Sequence, residues 1–140
     1  MEYRKFDKVY IVRLEPGEEV LESVKKLSEK EGIKLAKIEA LGATNDFTIG
    51  AYSIPEQKYY KKDYKGVWEI VSLIGNITTM NGEFYAHLHM GAGDDKGNFV
   101  GGHLNRAVIS ATCEMFVTLI DGKVDRVKDE KVGINVFKFD

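Results

Sequence analysis

Residues 83–90 alternate strictly. Phe84, Ala86, Leu88 and Met90 fall on one side of an extended chain, and Tyr85, His87 and His89 fall on the other. A period of two is the mark of a strand with one apolar face, so this stretch commits the chain to a sheet. His87 and His89 then point the same way, roughly 6.5–7 Å apart along the strand. The next stretch, residues 91–98, is dense in Gly, Asp and Asn, the residues that reversals need. A turn near Asp95 and Lys96 returns the chain with His103 opposite Leu88, within a residue or two. Gly101 and Gly102 are expected to permit a bulge or bend that turns the third imidazole inward. The chain has three histidines, and all lie in this segment. Three neutral imidazole nitrogens on one concave patch suit zinc, with a fourth coordination position open. The competing reading of an H-x-H strand is a plain polar sheet face. The return of a third histidine through the same hairpin favours the metal.

The rest of the chain supplies mostly strands. Residues 8–14 read as a strand ended by Pro16 and Gly17. Residues 18–31 are the one convincing helix: Val20, Leu21, Val24 and Leu27 make an apolar stripe at helical spacing. Glu18, Glu19 and Glu22 precede Lys25, Lys26 and Lys30, the order the helix dipole prefers, and Gly32 is the expected stop. Residues 35–41 and 47–52 read as two strands, with Gly42 and Ala43 between them. Residues 58–64 read as a polar edge strand protected by lysines. Residues 67–76 form a long apolar strand that residues 77–80 extend. Asn81-Gly82 is the strongest hairpin signal in the chain. Residues 107–120 are the longest strand-like run, and residues 123–127 and 134–139 close the sheet. The expected architecture is α+β, one domain over residues 1–140: a mostly antiparallel sheet of seven or eight strands with one main helix. One helix covers little of so large a sheet, so a homo-oligomer is expected.

Composition removes several classes of function. The net charge is −2 and the pI about 6.0, which argues against nucleic-acid binding by bulk electrostatics. The local basic group Lys58, Lys61, Lys62 and Lys65 reads as a solvated loop over Tyr59, Tyr60 and Tyr64. A lone cysteine, Cys113, allows no internal disulfide and fits a reducing compartment. No apolar run reaches membrane-spanning length, and residues 1–6 contain no apolar signal region, so the expected location is the cytoplasm.

Glu114 interrupts the apolar run 107–120. A buried carboxylate needs a partner. Glu114 reads equally as a group orienting a metal-bound imidazole, a general base, an inter-subunit ion pair or a solvent-facing residue. Tyr85, on the histidine face, is a second candidate for supporting the metal. Cys113 falls on the face opposite Glu114 and is excluded as a ligand.

These residues, taken together, resemble the PPC family, the domain conserved in plants and prokaryotes that is also described by a PD1-like DNA-binding motif. The resemblance begins at Arg13-Leu14-Glu15-Pro16-Gly17-Glu18 and continues through residues 38–42 and 69–75. It is sharpest at His87-Leu88-His89, Asp94, Gly97, Gly101-Gly102-His103-Leu104 and residues 112–114. It implies an antiparallel sheet with helical cover, assembled as a homotrimer. In histidine-bearing prokaryotic members the H-x-H and G-G-H histidines look like a metal site, usually assigned zinc, and they correspond here to His87, His89 and His103. Plant members grip DNA with a separate basic AT-hook segment. This sequence has none, so DNA binding by the chain alone does not carry over. The resemblance implies no particular reaction.

Two readings of function follow. In the first, a trimeric zinc protein with an open coordination position binds a small ligand or carries out metal-assisted hydrolysis or lyase chemistry. In the second, the trimer is a regulatory or DNA-associated interaction module whose metal is structural.

Overall fold

The structure, a computed structural model, describes residues 1–139. Its elements run β1 (Glu2–Phe6), β2 (Val9–Leu14), α1 (Val20–Glu31), β3 (Ala36–Ser53), β4 (Lys58–Met80), β5 (Glu83–Asp94), β6 (Phe99–Leu119), β7 (Asp125–Asp129) and β8 (Ile134–Lys138). Every strand pairing is antiparallel. The α+β class expected from the sequence is the one observed.

Six strands form one sheet in the order β1-β2-β6-β3-β4-β5, and β5 also pairs with β6. That extra ladder closes β6, β3, β4 and β5 into a small barrel, with the β1–β2 hairpin flanking it. Closure depends on β6 having three partners. Its first residues pair with β5, its last with β2, and β3 follows most of its length. Inside lie the apolar halves of each alternation, among them Ile38, Phe47, Leu73, Leu88, Ile109 and Val117, all essentially inaccessible to solvent. Phe47 is stacked on Tyr64, with centroids 5.0 Å apart, and edge-on to Trp68 at 5.4 Å.

The helix begins two residues later than its sequence pattern. Glu19 is its N-cap, with one carboxylate oxygen accepting from the Glu22 amide at 2.8 Å. The other accepts from the Ala107 amide at 2.8 Å, so the cap also ties the helix to β6. Val20, Val24 and Leu27 are buried as the stripe requires, and Gly32 ends the helix in the left-handed conformation. No helix among the described residues is long and apolar enough to cross a membrane.

Several boundaries differ from those read in the sequence. Residues 35–41 and 47–52 are one continuous strand, β3. Register shifts at Ala40/Gly42 and Thr44/Asp46 bend it without ending it, which is what a bulge does. Residues 58–64 and 67–80 are likewise one strand, β4. Residues 58–65 pair with β3 alone, so this half of β4 is an edge as expected. The lysines stand on a strand rather than a loop, with Lys58 over the Tyr60 ring and Lys62 over the Tyr64 ring. Residues 2–6, to which the sequence reading gave no structure, pair with β2. β7 and β8 do not join the main sheet. They form a separate two-stranded ribbon, held to β4 by the Thr79 amide donating to the Val124 carbonyl at 3.2 Å and by Arg126 Nε donating to Thr78 Oγ1 at 2.8 Å.

Candidate metal centre

β5 presents its histidines as the alternation demands. Leu88 and Met90 are buried, and His87 and His89 lie on the other face. Asp94 sets the reversal: its carboxylate accepts from the amides of Lys96 at 2.9 Å and Asn98 at 2.8 Å, and Gly97 takes φ 84°. The return strand pairs His103 with His89, one residue from the expected register. No bulge occurs at Gly101 or Gly102 in the β5–β6 ladder. Gly102 serves instead for close approach: a Cβ there would sit 2.6 Å from the Gly50 carbonyl oxygen. β6 therefore lies against β3 at the point where His103 must face the other two rings.

The three rings converge. His87 and His89 have centroids 5.2 Å apart, His87 and His103 5.1 Å, and His89 and His103 5.6 Å. One nitrogen from each lies within 4.8 Å of the others. With imidazole nitrogens about 2 Å from a tetrahedral zinc ion, the ring centroids of three ligands stand roughly 5 Å apart. The rings thus stand near the spacing the ion requires. His87 and His103 are half-buried and His89 is exposed. Burial, then the neighbouring His103, Arg126 and His89, push the His87 imidazole down to about 4. Burial, followed by His89, also lowers His103. Both rings are therefore neutral near pH 7, the form that donates a lone pair to a metal.

The His87 shift has a consequence for the metal-free protein. Its folded value, about 4, lies below the ordinary value of 6.5, so the unfolded chain takes up a proton first as pH falls. Stability from this group is present above about pH 6.5 and is lost as pH falls toward 4. Denaturation midpoints of metal-free protein should drop between pH 7 and pH 5, and His87→Gln should flatten that drop. Equal slopes in the two proteins would exclude His87 as its source.

The rings open into a cavity of about 560 Å³ whose walls include Tyr52, Tyr59, Tyr85, Ile134 and Asn135. Tyr59 meets His103 edge-on at 6.0 Å and donates its hydroxyl proton to Asn105 Oδ1 at 2.7 Å. Tyr85 is where its alternation puts it, and its hydroxyl accepts from Asn135 Nδ2 at 3.3 Å. Behind Tyr85 is Arg126, only 5 % exposed. Its guanidinium is sandwiched between the Tyr85 and Phe137 rings, each 4.6 Å away. Its nitrogens donate to Thr78 Oγ1, the Asn135 carbonyl and Asn76 Oδ1 at 2.8, 3.2 and 2.9 Å.

Glu114 does not belong to this site. It is exposed on the far half of β6, opposite Arg13, and borders a separate hollow with Ile11 and Phe116. Of its sequence readings the solvent-facing one describes its place in the monomer, because the outer face of β6 is uncovered there. Cys113 is buried on the opposite face, where burial pushes its thiol up to about 12, and it plays no part in the site. Tyr59, Arg126 and Asn135 were missed in the sequence. The Tyr52–Tyr59 pairing that frames the cavity depends on a hairpin turn at residues 54–57. Nothing in residues 125–138 says that their ribbon folds back over β5.

The profile of the Plants and Prokaryotes Conserved (PCC) domain matches residues 1–121, which includes all three histidines. The chain belongs to this family. The ribbon that supplies Arg126, Ile134 and Asn135 lies beyond the matched residues. Solved structures agree with the assignment. A metal-containing protein from Archaeoglobus fulgidus is 32% identical with a TM-score of 0.89, over 99% of this chain and 97% of that one. A plant- and prokaryote-conserved protein from Pyrococcus horikoshii is 30% identical with a TM-score of 0.85, over 99% and 94%. A candidate DNA-binding protein from Bacteroides thetaiotaomicron is 27% identical with a TM-score of 0.95, over 99% and 96%. No curated protein matches the chain in sequence.

Proposed function

We propose that this PCC-domain protein is a homotrimer that binds zinc through His87, His89 and His103, with an open coordination position facing the cavity. The convergence of three imidazoles, one nitrogen from each within 4.8 Å, carries the reading. The metal-containing relative from Archaeoglobus fulgidus supports a metal. The all-nitrogen donor set favours zinc among the common ions. When bound, such an ion supplies Lewis acidity at its open position. The chain's own residues orient the ligands and shape the space before them: β5 aims two rings, Gly102 lets β6 bring the third, and Tyr59 and Tyr85 wall the approach. Ligand binding, or hydrolytic or lyase chemistry, is the activity this arrangement suits. The trimer is supported by uncovered apolar residues on the outer face: Ile11, Phe116, Leu41 and Ile74 are 42, 47, 54 and 54 % exposed on four strands of the sheet.

Elemental analysis beside native mass tests both parts. One zinc per chain in a trimer is expected. His103→Ala should abolish stoichiometric zinc while leaving the circular dichroism spectrum unchanged; full zinc content in that variant would sink the assignment. A second reading, a regulatory or DNA-associated module with a structural metal, draws on the naming of the Bacteroides relative. Its test is a gel shift with duplex DNA at physiological ionic strength. The net charge of −2 leads us to expect no tight complex by this chain alone.

A further inference from the structure

The cavity before the three histidines has an unusual charge balance. None of the described residues lining it is an Asp, Glu, Lys or Arg. Of the described residues bordering His87 and His89, one is a carboxylate, Glu39. It lies across a neighbouring hollow, paired with Lys37 at 2.9 Å. Behind the cavity wall stands the buried Arg126, whose hydrogen-bond acceptors are a hydroxyl, an amide side chain and a backbone carbonyl, all neutral. A guanidinium stays protonated in proteins, so its charge is present, and no acceptor it bonds among the described residues cancels it. It bonds Asn76, which stands opposite His87 in the β4–β5 ladder, and so lies one side chain from the site. A divalent ion on three neutral imidazoles adds two more positive charges. Buried charge of one sign without a counter-charge is costly, and an anion arriving from solvent relieves it. The volume of about 560 Å³ and the walls of Tyr52, Tyr59, Tyr85 and Ile134 leave room for an organic body well beyond an inorganic ion.

We infer that the cavity receives a small organic carboxylate, its oxygen at the open metal position and its apolar body against the tyrosines, with Arg126 as a fixed positive charge behind Tyr85. The inference rests on the three-histidine metal site. Arg126 touches neither metal nor ligand; it acts through its field and by pinning the β7–β8 ribbon that forms one wall. The anion is bound as it stands, with none of its own covalent bonds made or broken.

The test uses the full chain loaded with cobalt(II), whose visible bands report on coordination at the site. Benzoate and benzyl alcohol serve as probes of similar bulk, one an anion and the other neutral. Benzoate should shift the cobalt bands saturably and bind about tenfold or more tighter than benzyl alcohol, since contacts to a charged group are the stronger kind. Arg126→Lys should keep that preference, and Arg126→Met should weaken benzoate severalfold more than it weakens benzyl alcohol. Cobalt spectra that ignore benzoate, or that respond equally to the alcohol, overturn this inference and leave the metal site standing. Failure to take up cobalt at all overturns the metal site and this inference with it.

Discussion

Gly75→Ala should destabilise the protein by about 3 kcal/mol, the upper end of what one inserted methyl group costs in a packed interior. The new Cβ would sit 2.0 Å from the His87 carbonyl oxygen and 2.8 Å from the Leu88 Cα, both backbone atoms of the neighbouring strand. Backbone cannot rotate aside as a flexible side chain can, so β4 and β5 must separate. Gly75 has no positive φ, so alanine is conformationally acceptable there. Restricting the unfolded chain would return only about 0.4–1 kcal/mol, and the collision wins. The displaced strand carries His87 and His89, so metal affinity should fall in the same variant. Gly93→Ala is the control. Its Cβ would meet nothing closer than 3.8 Å, and its stability should stay within about 0.5 kcal/mol of the parent. Urea denaturation of the three proteins decides the matter, and equal midpoints for Gly75→Ala and the parent would refute it.

Phe47→Ala should cost about 3–5 kcal/mol. Phe47 is completely buried in the barrel between Tyr64 and Trp68. Removing it loses the transfer energy of the ring and both aromatic contacts, and leaves a cavity that the surrounding strands are too constrained to fill. Phe47→Leu should recover a large part of the loss, because it restores most of the volume. A Phe47→Ala protein within about 1 kcal/mol of the parent would mean that the barrel collapses around the gap.

Alternation was the most legible signal in this sequence. It gave the buried face of β5, the outward pair His87 and His89, and the inward Cys113 with the outward Glu114, because a strand's period is set by its own backbone. The turn at residues 91–98 was legible because Asp94 and Gly97 act locally, and the register of His103 followed within one residue. The resemblance to the family rested on these same residues. What failed was whatever depends on a distant partner. β3 and β4 were each read as two strands because Gly42 and Gly66 look like stops, whereas Gly42 serves close packing against Thr112 and Gly66, at φ 115°, lies inside β4. The Arg126 position was illegible because its burial is created by Tyr85 and Phe137 from two other strands. Glu114 was ambiguous because an alternating strand tells which side a residue faces but not what stands on that side.

The three-partner strand β6 also dictates an order of events during synthesis. β2 has β1 as its only other neighbour in the sheet, and its ladder to β6 joins Val9 to Thr118 and Leu14 to Cys113. The N-terminal hairpin is made first and completed nearly last. Until residues 113–118 have left the ribosome, Tyr10, Val12 and Leu14 lack the strand that covers them. Pairings so distant in sequence are slow to form. The growing chain therefore carries an open, apolar strand edge for most of its translation, and that edge is where a chaperone or a wrong neighbour meets it.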